Sequence, residues 1–226
     1  MTSARHALKS HLIPLTSLAA RAADIAQQDQ RGETTTRDQV TRATMRYLDT
    51  DTLLCWVPEQ SEQLQAYEAR VGNEPTESLR VMQIRVAKDI IGYLTLKVWP
   101  GIEIQPMLDE SSIIPASQPQ ATKDIIRDWI FGLSPHDLAG FERGVLASKS
   151  LLAAARLVVE WSENFRYLQR PGQRRFGIEE AAEASSLEVK YQTDMWGEVE
   201  DTHDVDREDL LRQLGSVVVM VSGEKR

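Results

Sequence analysis

The chain has 226 residues, of which 42% are hydrophobic and 27% charged, and its formal net charge is -8. That length and composition are typical of a globular protein with a sizeable core, and the negative charge makes nucleic acid a poor main partner because it repels polyanions. No apolar run reaches the roughly 18 residues that a membrane span needs, so no membrane partner is expected. The single cysteine, Cys55, excludes an internal disulfide and a multi-cysteine zinc site, and it fits a reducing compartment such as the cytosol or the mitochondrial matrix.

The first fifty residues predict two helices. The first 23 residues hold Lys or Arg at three positions and no acidic residue. This composition is typical of either an import presequence or a basic first helix broken at Pro14. Leu15 to Gln28 is rich in alanine, with apolar residues at helical spacing. After a polar turn, Thr35 or Thr36 can cap a second helix that runs to Leu48.

The middle of the chain predicts two further helices and a long loop. Pro58 opens a helix toward Gly72, because proline suits the first turn and glycine the position just past the end. The next helix begins near Pro75 and runs through Ile90. The stretch YLTLKVW that follows alternates as a strand does, which leaves helix and strand open there. Residues 99–119 hold four prolines and are expected to form a long loop.

The second half opens with a strong helix start signal. Ser134 is a suitable N-cap and Pro135 a suitable first residue. The helix that they open is predicted to run about 35 residues, to Gln169, and its two apolar faces indicate a helix surrounded by others. Shorter helices are expected over Ile178–Tyr191 and Val205–Leu214. The closing SVVVMV is typical of a strand or an extended segment.

These elements predict a mainly α fold in which residues 1–226 form a single domain. Its expected architecture is a multi-helix bundle around one long central helix, with a short C-terminal extended segment. The sequence lacks G-x-G-x-x-G, the P-loop, G-x-S-x-G and H-E-x-x-H, which are the motifs of common nucleotide, hydrolase and metalloprotease sites. Cys55 lies among apolar residues and is expected to be an inert core thiol. We therefore expect no enzyme activity and no cofactor.

An acidic segment, KYQTDMWGEVEDTHDVDREDLLRQ, spans Lys190 to Gln213 and raises three interpretations. An EF-hand loop needs a glycine at its sixth and a glutamate at its twelfth position, and a loop starting at Glu198 fails both. Asp201, His203 and Asp204 could approach a divalent ion, but neighbours this close in sequence do not converge on one point. The third interpretation is a solvated acidic connection that Trp196 anchors to the core.

A basic turn, FRYLQRPGQRRFG, interleaves four arginines between Arg166 and Arg175 with aromatic residues. This combination can bind single-stranded nucleic acid or phosphate, and such a binding protein is the alternative function. Residues 179–209 carry many acids and few bases, so pairing of the turn with the chain's own acidic segment is the competing interpretation.

Two stretches carry a resemblance to a known family. RATMRYLDTDTLLCWVPE, at Arg42 to Glu59, contains the core L-D-T-D-T, and YQTDMWGEVEDTHDVDREDL, at Tyr191 to Leu210, contains W-G-x-x-E-x-x-H-D. Together with HLIPLTSLAARA and the closing GSVVVMV, in this order, they resemble the mitochondrial ATP synthase assembly factor that chaperones the α subunit of the catalytic head. The resemblance covers nearly the whole chain and is weakest in the proline-rich loop.

The resemblance implies a monomeric, non-catalytic chaperone of the mitochondrial matrix. Its partner would be unassembled α subunit, kept from aggregating until it joins β. Members of the family carry a β-rich domain before the helical one, so this chain is expected to correspond to the helical domain, with the import signal upstream. The family's functionally important glutamate falls on Glu200. We expect Glu200, with Glu198 and Asp204, to form an acidic surface that contacts a basic surface of the α subunit.

Asp49 and Asp51 in the L-D-T-D-T core have two interpretations. Asp and Thr at turns bond their own backbone and cap helices, so Asp51 or Thr50 is expected to be the N-cap of a TLLCW helix. A partner-binding role is the other interpretation. The predicted partner-binding residues are therefore Glu200, Glu198, Asp204, His203, Trp196, Asp49 and Asp51.

Overall fold

The computed structural model describes residues 14–58, 77–107, 117–169, 172, 174–197 and 203–223. In this part of the chain all regular structure is helical, which confirms the predicted fold class. Nine α-helices are joined by loops and two short 3-10 helices, at Arg46–Leu48 and Glu163–Leu168. The α-helices are α1 Pro14–Gln30, α2 Thr35–Met45, α3 Leu79–Lys97, α4 Gln120–Phe131, α5 Pro135–Ser148, α6 Leu151–Trp161, α7 Ile178–Ser185, α8 Leu187–Trp196 and α9 His203–Ser222. The helix predicted from Pro58 to Gly72 lies largely outside the described residues.

The centre of the bundle is α5 followed by α6, with α1, α2, α7 and α9 packed around them. The prediction of one central helix of about 35 residues is wrong, because the chain breaks at Lys149. Lys149 takes a left-handed conformation, with φ 57°, and Ser150 starts the next helix by accepting a hydrogen bond from the backbone N–H of Ala153 at 3.0 Å. Ser162 ends α6 with an extended backbone. The break lets α5 and α6 pack against each other.

The C-terminal segment is a helix, so the prediction of an extended segment there is wrong. Helix α9 is 20 residues long and includes all of SVVVMV. Leu214, Val217 and Val221 are buried at helical spacing against α5, and β-branched side chains tolerate a helix when tertiary contacts cover them. The burial of one face outweighs the low helix propensity of valine.

The ambiguous stretch YLTLKVW lies at the end of helix α3. The Ser78 hydroxyl caps this helix by accepting a hydrogen bond from the backbone N–H of Val81. Gln83, Ala87, Ile90 and Leu94 are buried along one side, spaced three or four residues apart as on a helix. The other side of α3 stays partly open.

The predicted long loop at 99–119 is irregular where it is described, at 99–107 and 117–119. The Gln118 side chain anchors it: its amide donates to the backbone carbonyl of Gln105 at 2.7 Å and its carbonyl accepts from the Gln105 N–H at 3.0 Å. Thr122 donates to the carbonyl of Glu103 at 2.7 Å. Side-chain hydrogen bonds thus replace the regular structure that the prolines exclude.

Candidate functional site: the two motif blocks

The L-D-T-D-T turn is built around the fully buried side chain of Asp51. One carboxylate oxygen accepts from the backbone N–H of Leu53 at 2.9 Å, as a capping residue does, but TLLCW forms a turn, so the prediction of a helix there is wrong. The other oxygen accepts from the N–H of Leu152 at 3.0 Å, so Asp51 also caps α6, a hundred residues away in the chain. Ser150 and the backbone of Leu151 add further hydrogen bonds. Asp51 therefore ties the turn to the central helix and presents no surface of its own to a partner.

Burial raises the pKa of Asp51 to about 6, although hydrogen bonds from Ser150, Leu152 and Leu53 act in the opposite direction. Loss of hydration disfavours the charged form, and each donor favours it. A buried carboxylate without a cationic neighbour can exist only because several N–H groups converge on it. The structure therefore supports the capping interpretation of Asp51.

Asp49 points away from Asp51 and joins the turn to the loop before α4. Its carboxylate accepts from the backbone N–H of Gln118 at 3.1 Å and from the Lys123 ammonium at 2.6 Å. The side chain is 37% exposed, so it remains reachable from solvent. Of Asp49 and Asp51, Asp49 is therefore the one whose side chain a partner could contact.

The W-G block lies at the junction of α8 and α9, and the structure describes its two ends. Gly197 follows the last residue of α8 with φ 88°, a conformation that glycine adopts without strain, and its N–H donates to the carbonyl of Thr193 at 2.8 Å. The glycine is thus required to end the helix. Glu198 and Glu200 lie outside the described residues, as do the side chains of Trp196, His203 and Asp204.

The first turns of α9 continue the acidic segment into described structure. Val205, Asp206 and Glu208 are exposed, while Asp209 is partly buried and pairs with Arg212. An apolar side chain that is 56% exposed, Val205, therefore lies among carboxylates at the start of this helix. Exposed charges beside an apolar residue are a common composition at protein interfaces.

The L-D-T-D-T turn faces the junction of α7 and α8, which precedes the second motif block in the chain. Thr52, Leu53 and Cys55 line a small cavity of about 260 Å³ together with residues 184–189, which form the junction of α7 and α8. Cys55 is exposed at this place, so the expectation of a buried core thiol is wrong. Partial desolvation raises the pKa of the Cys55 thiol, with the nearby Asp51 carboxylate adding to the effect.

The described arginines of the basic turn are engaged within the chain. Arg166 pairs with Glu163, and Arg174 pairs with Glu180 on α7. Arg175 stacks on the ring of Trp161, 4.7 Å from its centroid. Glu180 belongs to the acid-rich residues 179–209, so this pairing is of the kind that the sequence suggested as the competitor to nucleic-acid binding. Neutralised arginines offer less charge to a phosphate backbone.

No group of three or more His, Cys, Asp or Glu side chains in the described part of the chain is arranged to hold a metal ion. None of the helices in the same part is long and apolar enough to cross a membrane.

Sequence reasoning missed one cluster, at Arg156 on α6. Its guanidinium lies 3.6 Å from the ring centroid of Tyr93 and 5.1 Å from that of Phe176, and it pairs with Glu160 one turn later. The signal that could have revealed it is an Arg and a Glu four residues apart within the otherwise apolar LLAAARLVVEW. The buried charged pair lies against two aromatic rings, and Arg156 lines two cavities beside α3, of about 340 Å³ and about 220 Å³.

Comparison with known proteins agrees with the motif blocks. A family model described as ATP12 chaperone protein matches residues 2–95. The mitochondrial protein atp12 of Schizosaccharomyces pombe is 29% identical over 213 residues, which is 94% of this chain and 62% of the relative. The mitochondrial ATP12 of Saccharomyces cerevisiae is 28% identical over 222 residues, or 94% of this chain and 65% of the relative.

Solved structures give the same fold. A mutant form of Paracoccus denitrificans Atp12p superimposes with a TM-score of 0.63 at 17% identity, covering 92% of this chain and 70% of the other. The crystal structure of Atp12 from Paracoccus denitrificans gives 0.62 at 18% identity, with the same coverage. At this level of identity the likeness establishes the fold.

The described structure has the fold of the solved Atp12 structures. Over residues 2–95 the chain is similar to the ATP12 chaperone proteins, and over nearly its whole length it is similar to the two yeast relatives. It spans 62% to 65% of the length of these two curated relatives.

Proposed function

We propose that this chain acts as an assembly chaperone for the catalytic head of ATP synthase, and that it binds unassembled α subunit before α joins β. The observation that carries the proposal is the presence of both motif blocks, L-D-T-D-T and W-G-x-x-E-x-x-H-D, on one ATP12-type helical fold. A chaperone of this kind needs an exposed docking surface and no chemistry on its client. We propose that it works as a monomer in the mitochondrial matrix, without enzyme activity, and the names of the yeast relatives support the organelle.

The proposed docking surface is the acidic segment centred on Glu200, with Glu198, His203 and Asp204. Its support in described structure is the start of α9, where exposed Asp206 and Glu208 surround Val205. Charges at the rim of an interface increase the rate of encounter and select the partner, while apolar neighbours supply affinity. The client surface is therefore expected to be basic with an apolar centre.

Asp49 and Trp196 complete the proposed surface in different ways. Asp49 keeps a partly exposed carboxylate, although Lys123 occupies one of its oxygens. Trp196 is the last residue of α8 and precedes the glycine that redirects the chain toward Glu200. Asp51 contributes indirectly, because its hydrogen bonds hold the turn that carries Asp49.

Capture of the α subunit tests the proposal. The tagged full chain is co-expressed with α subunit, and the α subunit recovered with it in soluble form is measured. Glu200→Lys is expected to reduce capture at least tenfold, because it reverses the charge at the centre of the acidic surface. Glu33→Lys is the matched control, since Glu33 is exposed in the α1–α2 turn and the change in net charge is the same.

Both variants must show the far-ultraviolet circular dichroism and melting temperature of the wild type. Capture that is unchanged in folded Glu200→Lys would contradict the role of the acidic surface. Wild-type chain that leaves the α subunit entirely insoluble would contradict the proposed function itself.

A further inference from the structure

The gap between α5 and α6 consists of two residues, Lys149 and Ser150. Neither proline nor glycine lies in it, and the apolar positions on both sides continue one helical pattern. Within the described residues, Lys149 is the only non-glycine residue with a positive φ. A left-handed conformation is unfavourable for lysine, so contacts from elsewhere in the fold must keep the two helices apart.

The break removes two backbone hydrogen bonds that a continuous helix would contain. In an α-helix each N–H donates to the carbonyl four residues earlier, so Leu152 would donate to Ser148 and Ala153 would donate to Lys149. The break therefore leaves two donors at the start of α6 and two acceptors at the end of α5 without these partners. The Ser150 hydroxyl accepts from one of the donors, the N–H of Ala153.

The dipeptide Asp51-Thr52 binds the other three groups. The Asp51 carboxylate accepts from the N–H of Leu152 at 3.0 Å. The Thr52 N–H donates to the carbonyl of Lys149 at 3.3 Å, and the Thr52 hydroxyl donates to the carbonyl of Ser148 at 3.4 Å. A carboxylate thus meets the start of α6 and two donors meet the end of α5, as the polarity of helix ends requires.

Helices α5 and α6 fold back on each other as a hairpin that is also closed at its open end. Asn164, just after α6, donates to the carboxylate of Asp137, in the first turn of α5, at 2.9 Å. A continuous helix would place these two residues about 40 Å apart. Nine of the eleven residues of α6 are buried, so a chain with an opened hairpin needs another surface to cover this helix. A second copy of the chain offers the same surface that the first copy has lost.

We propose that Asp51-Thr52 is a clamp that keeps this hairpin closed and so prevents two copies of the chain from exchanging helices. When the clamp is lost, α5 and α6 join into one helix over residues 135–161, and α6 to α9 of each copy pack on α1 to α5 of the other. In the intact protein the same exchange would take the N–H of Leu152 from the buried Asp51 carboxylate, and this loss disfavours it. The clamp acts within the chain itself, so the inference does not depend on the identity of the client.

The test replaces both residues of the clamp. Asp51→Ala/Thr52→Val is compared with Asp49→Ala/Thr50→Val, which makes the same two substitutions in the same turn at residues whose hydrogen bonds lie outside α5 and α6. Each full chain is unfolded in urea and refolded over a range of concentrations, and its mass is measured by light scattering after gel filtration. The clamp variant is expected to contain about tenfold more dimer than the wild type, and the control variant is expected to match the wild type.

A distance measurement shows whether the dimer is an exchanged one. Spin labels are attached through His136→Cys and Glu163→Cys, at the two ends of the hairpin, in chains that also carry Cys55→Ser. Labelled chain is refolded with an excess of unlabelled chain, so that only the distance within one copy is measured. The closed hairpin keeps the two labels close together, whereas the continuous helix places them about 40 Å apart.

Two results would overturn the clamp. One is a clamp variant that folds, as circular dichroism shows, and stays monomeric at every concentration. The other is a dimer in which the two labels of one copy stay close together, because such a dimer is an association of surfaces without exchange.

A second pair of variants tests the hinge with the clamp in place, should the clamp variant not fold. Ser150→Ala removes the cap of Ala153 and is expected to increase the fraction of dimer. Adding Lys149→Gly relieves the left-handed conformation of the closed hairpin and is expected to reverse the increase. Equal fractions of dimer in the wild type and in both hinge variants overturn the proposal.

Discussion

Asp51 shows how one residue can have a local and a distant role at once. Its first carboxylate oxygen completes the turn by accepting from Leu53, and its second caps α6 by accepting from Leu152. The first role follows from turn chemistry and could be predicted from the sequence. The second depends on a contact across a hundred residues, so no local pattern could reveal it. The L-D-T-D-T block is therefore a structural junction as well as a family motif.

The pKa of Asp51 makes a prediction about stability and pH. The folded-state pKa is about 6 and the ordinary value is 3.8, so between these values the folded chain holds a proton that the unfolded chain has lost. The contribution of Asp51 to the free energy of unfolding is therefore largest at low pH and falls as pH rises through 6. Because the shift is about two pKa units, the fall between pH 4 and pH 7 is on the order of 3 kcal/mol.

The measurement compares Asp51→Asn with the wild type, so that the contributions of other carboxylates cancel. Asp29 acts in the opposite direction: its hydrogen bond with Arg37 lowers its pKa, so its contribution to stability is lost as pH falls. The difference in free energy of unfolding between wild type and Asp51→Asn is expected to shrink from pH 4 to pH 7 in urea titrations. Thr50→Ala, in the same turn, is the control that should keep the wild-type pH dependence. A difference that grows with pH would contradict the prediction.

At the scale of elements, the packing of α9 on α5 depends on two glycines. A Cβ atom at Gly140 would lie 2.8 Å from a methyl group of Val221, and one at Gly144 would lie 3.1 Å from the Cβ of Ala154 on α6. The glycines therefore allow α5 to approach both of its neighbours more closely than larger residues would. This close approach buries the valines of α9 that the sequence alone suggested were extended.

Gly140→Ala is expected to destabilise the protein by about 1–2 kcal/mol. The new methyl group overpacks against Val221, whose branched side chain has little freedom to move, and this cost exceeds the gain in helix propensity. Gly92→Ala is the matched control, because Gly92 lies inside α3 with no atom within 4 Å of the added Cβ. It is expected to stabilise by about 0.5–1 kcal/mol. Chemical denaturation measures the free energy of unfolding of both variants. A stabilising Gly140→Ala would show that α9 can move away from α5 without loss of stability.

The sequence predicted those elements whose signals are local. Pro14–Gln30 follows from helical spacing, and the start of α5 follows from Ser134, whose hydroxyl accepts from the N–H of Asp137 at 3.1 Å as predicted. The break at Lys149 could not be predicted, because lysine rarely adopts a left-handed conformation and neither glycine nor proline marks the place. The prediction that SVVVMV is extended failed for a related reason. The two glycines against which its valines pack lie about 75 residues earlier in the chain.

The candidate site was predictable to a smaller extent. The motif blocks indicated a resemblance to the ATP12 proteins, and turn chemistry placed Asp51 in a capping role, which the hydrogen bonds support. The two cavities beside α3 could not be predicted from the sequence, because the apolar residues that line them have the spacing of an ordinary buried face. Only the arrangement of α6, α7 and α8 shows that part of this face remains open. Open surface is a property of the assembled bundle and not of any single element.

For the whole molecule, one connected cluster of buried apolar side chains includes residues of every described α-helix except α8. We therefore expect a single cooperative unfolding transition, as the prediction of one domain requires. Tryptophan fluorescence reports on the five tryptophans, among them Trp99 and Trp129, which meet edge to face 5.2 Å apart, whereas far-ultraviolet circular dichroism reports on all helices. The two urea transitions should coincide, and Gly140→Ala should lower both midpoints equally. Circular dichroism that retained a second transition after the fluorescence change was complete would show that some helices form a separate unit.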